Sequence, residues 1–421
     1  PVYDPKNGPQ DEDFMPEREV MACLNLGKTK SGDPVVRKTK RNLMLILQAD
    51  TRWKGRLWMD SFRRRLMYEQ RDYTDSDDTR ILMWVERVYG VEYPAKTVCE
   101  VATVVGEAIE FNPLVSWLES LEWDGIVRTD QWLIQAAGAE DTEINRKVGR
   151  AWLIQAIARA MKPGCKADCC LILIGPQGAQ KSSLFRVVAS DKWFSDTPID
   201  IGSKDAYMQI AESWIYEVAE LDSVKRASSS TTKAFISAQY DVFRPPFGRQ
   251  TVRVPRHVCF CGSTNETTFL FDPTGSRRFW PVEVGTVDLD WARQNREQLW
   301  AEAVHAYENG EVWWLEKSAE EQLAACSATY QKPDPWQEVI EDWMICNSSI
   351  SLTTRDIMRG ALTLEPYQMT KAAEMRVAEI LRSMNWERKK LRLFGRPQWC
   401  WTKDAEILPI NQPEDSVSGL E

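Results

Sequence analysis

The fold of this chain is decided by one stretch of sequence, Leu171-Ile172-Leu173-Ile174-Gly175-Pro176-Gln177-Gly178-Ala179-Gln180-Lys181-Ser182-Ser183. Its four apolar residues predict a buried strand, a glycine-containing turn follows, and the lysine and serines open a helix. This order is typical of a phosphate-binding loop, whose backbone N–H groups and helix N-terminus hold phosphates. We therefore predict a nucleotide site at Gly175–Ser183, with Lys181 at the β- and γ-phosphates and the Ser182 hydroxyl on Mg²⁺.

One position departs from the pattern G-x-x-x-x-G-K-[ST], because Gln180 stands where the second glycine belongs. The alternative to a phosphate loop is an ordinary glycine-rich turn that happens to precede a lysine. The flanking strand and helix are both present, and they favour the phosphate loop.

Composition limits the classes of protein that fit. The length of 421 residues predicts two to four domains, and 43% hydrophobic with 27% charged residues is ordinary for globular chains. The net charge of −9 argues against a generally basic nucleic-acid-binding protein, so such contacts must come from local basic patches. The ten cysteines lack zinc-ligand spacing, and we expect reduced thiols in an intracellular protein.

Features of targeting are few. We find no signal peptide and no apolar run approaching 18 residues, so we expect no membrane span and a cytoplasmic location. The chain begins at Pro1 rather than Met, which indicates a fragment of a longer polypeptide.

Polar residues follow two further apolar runs. Trp214–Asp222 predicts a strand with acids at its carboxyl end, where an acid of a parallel sheet binds Mg²⁺ or orients the attacking water. Glu220 is the first choice for that acid, and Glu217, on the opposite side by strand alternation, is the second. Val258–Asn265 predicts another buried strand, and Asn265 at its end is a candidate to contact the γ-phosphate or the water.

Two clusters of arginine follow the predicted nucleotide site. Tyr240–Val254 predicts a hairpin with Phe247 at its tip, and the stretch is locally basic through Arg244, Arg249, Arg253 and Arg256. Such a hairpin can grip a DNA strand, and a surface hairpin without function is an equal alternative. Arg277 and Arg278 are candidates to reach a neighbouring subunit's γ-phosphate, and a surface ion pair is the alternative for either.

The rest of the chain divides by pattern into a linker (1–15), an all-α, collar-like N-terminal domain (16–160), the nucleotide-binding domain (161–330), a C-terminal domain (331–403) and a disordered acidic tail (404–421). Three helices and a hairpin predict a winged-helix-like α+β domain at 331–403. Lys389 and Lys390 on its wing are DNA candidates, and protein docking is the alternative.

The motifs together resemble one known family. The phosphate loop is followed in order by Trp-Phe-Ser-Asp (193–196), Ile-Gly-Ser-Lys-Asp (201–205), Glu-Val-Ala-Glu-Leu-Asp (217–222), Phe-Arg-Pro-Pro-Phe-Gly-Arg (243–249), Gly-Ser-Thr-Asn (262–265) and Gly-Ser-Arg-Arg-Phe-Trp-Pro-Val (275–282). This set resembles the virulence-associated E family, P-loop ATPases of phages and genomic islands that are similar to superfamily 3 helicases of the AAA+ class.

The resemblance implies a central α/β AAA+ ATPase that uses ATP and Mg²⁺ and assembles as a homo-oligomeric ring, usually a hexamer, that translocates on DNA. It makes Lys181 and Ser182 the Walker A pair, Glu220 the Walker B acid with Glu217 nearby, and Asn265 sensor 1. Arg277 or Arg278 becomes the arginine finger, a residue that acts in trans on the γ-phosphate bound by a neighbouring subunit. The hairpin occupies the position of a DNA-gripping hairpin.

We therefore predict an ATP-dependent DNA helicase or translocase that serves replication of a phage or mobile element in a bacterial host cell. Its expected partners are single-stranded or forked DNA, further copies of the chain, and a primase or other upstream replication domain. The alternatives are a DNA-binding initiator or scaffold with a mainly structural nucleotide site, and an AAA+ regulator that remodels protein.

Overall fold

The computed structural model of the chain describes residues 17–201, 203, 205–219, 229–244, 251–266, 278–328, 330, 334–347, 352–393 and 396–402. The described residues up to 327 form one compact unit, and those from 328 onward form a second. The predicted linker 1–15 and tail 404–421 lie outside the described residues. No described helix combines the length and apolarity that crossing a bilayer requires.

The first part of unit 1 is mixed, and the prediction of an all-α N-terminal domain was wrong. Its elements are α1 (Glu17–Cys23), β1 (Leu26–Lys28), β2 (Pro34–Val36), α2 (Lys40–Ala49), β3 (Leu57–Asp60), β4 (Arg65–Tyr68), β5 (Arg71–Asp72), α3 (Asp75–Tyr89), α4 (Ala95–Glu107) and β6 (Glu110–Phe111). A hairpin (β1–β2) precedes a four-stranded sheet in the order β5-β4-β3-β6. These strands have two to four residues each, too few to show the alternating pattern by which a strand is recognised.

Capping residues fix both ends of α3. Thr74 and Asp77 form a capping box at the start of α3, and Gly90 ends that helix in the left-handed conformation (φ 66°). Residues 20–105 contribute a hydrophobic core of their own.

A five-stranded parallel sheet forms the centre of unit 1. The elements of this region are α5 (Pro113–Glu119), α6 (Trp132–Ala137), α7 (Glu143–Met161), β7 (Cys170–Ile174), α8 (Lys181–Ala189), β8 (Phe194–Ser195), α9 (Asp205–Ile210), β9 (Ile215–Ala219), α10 (Ser229–Ser237), β10 (Tyr240–Phe243), β11 (Val252–Pro255), β12 (Cys259–Thr264), β13 (Phe279–Glu283), α11 (Leu289–Glu308) and α12 (Lys317–Ala328). The strand order is β13-β7-β12-β9-β8, and every pairing in the sheet is parallel. All five residues of β7 are buried, as expected for a strand covered on both faces.

Helices α5 to α7 belong to the core of this sheet. Leu114, Trp132 and Trp152 are fully buried in the same cluster as Leu171 and Leu173 of β7. Apart from Phe62, this core draws on residues from Leu114 onward, and the other core ends at Val105, so the change falls well before the predicted boundary at residue 160. From Val148 to Ala160, α7 is buried on nearly all sides, as expected for a helix packed between a sheet and other helices.

The described residues of unit 2 form three helices and a hairpin, as the sequence predicted. They are α13 (Pro335–Cys346), α14 (Thr354–Gly360), α15 (Lys371–Ser383), β14 (Glu387–Leu393) and β15 (Arg396–Thr402). The hairpin is tied to the chain before α14 by a bridge between Leu352 and Trp401. Trp401 is fully buried against the three helices and anchors the hairpin on them.

Candidate nucleotide-binding site

The loop between β7 and α8 lies at the carboxyl edge of the sheet. The N–H of Gly175 donates to the Thr264 carbonyl at 3.1 Å, which joins the loop to the end of β12. A Cβ atom at Gly175 would lie 2.7 Å from a methyl group of Val284, so only glycine fits there. Gly178 has a φ of +83°, which glycine adopts without strain. The two glycines thus permit a close approach and a tight turn.

Gln180 adopts the left-handed conformation, with φ 58° and ψ 26°. This geometry explains why the sequence pattern has glycine at the position. A residue with a side chain holds the conformation at a cost of about 1–2 kcal/mol. The glutamine in place of glycine therefore costs conformational strain at this one position.

Lys181 turns its ammonium group back over the loop. Its Nζ donates to the carbonyl of Gly175 at 2.8 Å and to that of Pro176 at 2.9 Å. The side chain is 8% exposed. The charge is thus fixed at the mouth of the loop, beside the N–H groups that the first turn of α8 leaves without intrahelical partners.

The carboxylate of Glu217 lies beside this loop. Glu217 is in the middle of β9 and is 1% exposed. Its Oε1 accepts hydrogen bonds from Ser182 Oγ at 2.7 Å and from Ser263 Oγ at 2.5 Å. Burial raises the pKa of Glu217, and the two serine hydroxyls oppose that effect. A loop residue, a β9 residue and a β12 residue therefore meet at one carboxylate.

The second oxygen of this carboxylate has no partner in the described part of the chain. Oε2 of Glu217 is buried without a hydrogen bond among the described residues. An unpartnered carboxylate oxygen next to a serine hydroxyl is the kind of oxygen pair that Mg²⁺ prefers. The residues present thus fit a divalent cation. The described part of the chain contains no group of three His, Cys, Asp or Glu side chains that could hold a metal, here or at any other place.

Sequence reasoning assigned these roles differently. It placed Glu220 first, and that residue lies outside the described residues. It did not select Ser263, although the polar run that ends β12 was a usable signal. Asn265 is exposed and follows β12 directly. Because Thr264 is paired with Ile174 of β7, Asn265 emerges beside the start of the loop.

Of the two candidate finger arginines, Arg278 is described and Arg277 is not. Arg278 directly precedes β13, whose first residue pairs with the first residue of β7. It therefore lies at the amino edge of the sheet, opposite the loop of its own chain. Its side chain is 18% exposed, and its Nε is 3.6 Å from Asp168 Oδ2.

The predicted hairpin is present as β10 and β11, with Phe243 paired to Val252. Its tip, with Phe247 and Arg249, lies outside the described residues. Arg244 and Arg253 are exposed, and the Arg253 guanidinium lies 4.0 Å from the centre of the Tyr240 ring.

The base of the hairpin is held by buried arginines. Arg256 is 2% exposed and donates from Nε to both carboxylate oxygens of Asp241 at 3.1 Å. Arg159 of α7 is fully buried and donates to the carbonyls of Arg256 at 3.0 Å, Ala167 at 3.0 Å and Ala238 at 3.2 Å. Arg256, which the sequence analysis counted among the basic residues of the hairpin, is thus buried and stabilises the base of the hairpin.

The C-terminal candidates lie on the wing of unit 2. Lys389 and Lys390 are exposed on β14, and Lys389 also pairs with Glu387 at 3.0 Å. By the register of the hairpin they face opposite sides of the ladder, with Lys390 opposite Trp399 and Lys389 opposite Cys400.

Comparison with known families now identifies the chain. A sequence model of the virulence-associated protein E-like domain matches residues 118–332, just over half of the chain. The chain belongs to the virulence-associated protein E-like family. This confirms the resemblance drawn from the motifs. The family match begins within α5, in agreement with the place where the core of the central sheet begins.

Solved structures give a weaker likeness. Two apo structures of the NrS-1 C-terminal region each cover 82% of this chain and 95% of their own, at 11% and 12% identity and a TM-score of 0.43. This likeness is too low to assign an activity to the virulence-associated protein E-like chain. No curated protein sequence matches it significantly.

Proposed function

We propose that this chain is an ATP-dependent DNA helicase or translocase of a phage or mobile genetic element, which acts in DNA replication as an oligomeric ring. The observation that carries the proposal is the meeting of Lys181, Ser182, Glu217 and Ser263 at the carboxyl edge of a parallel sheet. Ligands of open parallel sheets bind at this edge. Membership of the virulence-associated protein E-like family supports the same activity.

In this proposal the chain's own residues bind and orient ATP. The loop N–H groups and the Lys181 ammonium hold the phosphates, and Ser182 with Glu217 holds Mg²⁺. Held by these residues, Mg²⁺ would supply positive charge that neutralises the negative charge developing on the transferred phosphoryl group. Asn265, at the end of the neighbouring strand, orients the attacking water. Glu220 remains a second candidate acid.

The proposed ring rests on the position of the finger arginines. Arg278 lies at the amino edge of the sheet and the loop lies at the carboxyl edge, so this arginine serves a neighbouring chain. The strand order β13-β7-β12-β9-β8 and a hairpin inserted between β9 and β12 support an AAA+ domain of the superfamily 3 type. The three helices and hairpin of unit 2 support a winged-helix-like domain.

The test is an assay of ATP hydrolysis and of strand displacement on forked DNA, with polarity controls. We expect hydrolysis to be stimulated by single-stranded DNA and abolished by Lys181→Ala. Hydrolysis that persists in this variant would show that the assigned site is wrong. Nucleotide binding without hydrolysis or displacement would instead favour an initiator or scaffold, and hydrolysis without displacement would favour an AAA+ regulator that remodels protein.

A further inference from the structure

A groove in unit 2 has no role in the site described above. It lies between α15 and the β14–β15 hairpin and has a volume of about 710 Å³. Residues of α14, α15 and both hairpin strands line it. Its chemistry differs from that of an apolar protein-docking groove, because charged side chains and one aromatic ring dominate its lining.

The charged groups of the groove leave an excess of positive charge. Its lining contains four cationic and two anionic side chains, which are Arg355, Lys371, Arg382, Arg388, Glu374 and Glu379. Described ion pairs in this unit join other residues, Arg376 to Asp334 and Lys389 to Glu387. None of the four groove cations forms an ion pair within the described part of the chain. These cations are therefore available to an anionic ligand.

Trp399 supplies an aromatic surface in the same groove. It is 52% exposed, an unusual exposure for tryptophan, whereas the nearby Trp401 is fully buried in the core of the unit. The Arg388 guanidinium lies 5.4 Å from the centre of the Trp399 ring. An open indole beside an arginine is the pair of groups on which a base stacks while its phosphate is neutralised.

We propose that this groove binds single-stranded DNA, with one base stacked on Trp399 and the adjacent phosphates at Arg388 and Arg382. A base within a duplex is stacked on both faces and presents none to an indole, so the exposed Trp399 favours a single strand. Glu374 and Glu379 project from α15 into the groove and oppose the higher charge density of a duplex.

The dimensions of the groove agree with a short segment of strand. Lys371 and Arg382 are separated by three turns of α15, about 16 Å along the helix axis. This site differs from the Lys389 and Lys390 contacts predicted from sequence, since neither lysine lines the groove. It also stands apart from the proposed ATPase, because binding here requires no hydrolysis.

The test measures binding of a fluorescent oligothymidylate to the full chain without nucleotide, by anisotropy over a range of salt concentrations. We expect Trp399→Ala to weaken binding about tenfold, as for loss of one stacking platform. Arg388→Gln should weaken binding and lower the salt dependence by about one counterion. Tyr367→Ala is the matched control, because Tyr367 is 80% exposed in the same unit and does not line the groove.

Two further measurements make the result decisive. Ultraviolet crosslinking of an oligonucleotide containing 5-iododeoxyuridine should attach it to the peptide that contains Trp399, and thermal melting should show that the variants are folded. The proposal is overturned if Trp399→Ala and Tyr367→Ala bind equally well and no adduct forms on β15. It is also overturned if duplex DNA binds as tightly as the single strand and loses as much affinity in Trp399→Ala. A third contrary result would be an acidic peptide that binds through Trp399 without displacing the oligonucleotide, because the oligonucleotide would then lie at another site.

Discussion

The hydroxyl of Ser182 and the carboxylate of Glu217 are joined by a 2.7 Å hydrogen bond, although 35 positions separate them in the chain. Ser263 donates to the same oxygen from a third element. The loop, β9 and β12 are therefore fixed relative to one another at one buried carboxylate. The consequences of this contact can be measured separately for hydrolysis and for stability.

Replacement of Glu217 by Gln should remove hydrolysis without removing nucleotide. We expect ATP turnover to fall about 10²–10⁴-fold, the range for loss of a group that acts on the attacking water or the metal. Fluorescent ATP-analogue binding should persist, because Lys181 and the loop N–H groups remain. Glu302→Gln is the matched control, since Glu302 is 2% exposed but bonds Thr129 and Arg150. Equal losses of turnover in the two variants would argue against a role for Glu217.

The same substitution should change the dependence of stability on pH. Burial raises the pKa of Glu217 above its ordinary 4.5, so the folded chain holds this proton more tightly than the unfolded chain does. The stability it contributes is full below the unfolded pKa and is lost as pH rises through the folded pKa. Without Mg²⁺, Glu217→Gln should therefore melt at a higher temperature than the wild type at pH 8, by an amount that shrinks toward pH 5. A difference that is constant with pH would contradict this account.

Gln180 offers a test of backbone strain in the loop. Gln180→Gly removes the left-handed strain of a side chain and adds flexibility to the unfolded chain, so we expect a net change within about 1 kcal/mol. Turnover should be retained. Gln180→Val introduces a β-branched side chain at φ 58°, and we expect a lower melting temperature and weaker nucleotide binding. If valine is tolerated as well as glycine, the conformation of the loop differs from the one described.

Substitution of two arginines of the hairpin should affect different properties, stability in one variant and DNA binding in the other. Arg256→Gln leaves Asp241 buried without its partner, and we expect a loss of about 3–5 kcal/mol of stability. Arg253→Gln changes an exposed residue, and it should leave the melting temperature unchanged while it weakens DNA binding and lowers the salt slope by about one. Thermal melts and anisotropy titrations of the pair separate folding from binding. An unchanged salt slope in Arg253→Gln would remove that residue from the DNA contact.

Mixing experiments test whether the finger acts between subunits. Arg277→Ala and Arg278→Ala chains should each be tested alone and after mixing with Lys181→Ala chains. The true finger variant should be inactive alone and should regain part of its turnover in the mixture, because intact loops then meet intact fingers. Arg293→Ala, an exposed arginine paired with Asp290 on α11, is the control. Turnover that is not restored by mixing would place the defect within a single chain.

The parts that sequence could predict are those with a local signal. Strand β7, the loop and α8 followed from one continuous stretch, and the β10–β11 and β14–β15 hairpins followed from their turn residues. The hydrogen bonds of Glu217 with Ser182 and Ser263 could not be predicted from the sequence. The partners are 35 and 46 positions away in the chain, and only the strand register brings them together. From the sequence alone, Arg256 is one more basic residue of the hairpin. The structure shows that it is buried in an ion pair with Asp241 on the other strand, which the sequence does not reveal. The N-terminal sheet was missed because its strands are shorter than the pattern that identifies a strand.

Arg159 joins three segments of the chain through the three backbone carbonyls to which it donates. One guanidinium holds the chain just before β7, the end of the segment that leads into β10 and the residue that follows β11. Both ends of the hairpin are therefore bonded, through one guanidinium, to the segment that leads into β7 and the loop. In the proposed helicase, movement of the hairpin on DNA would therefore be coupled through Arg159 to the strand that precedes the nucleotide-binding loop.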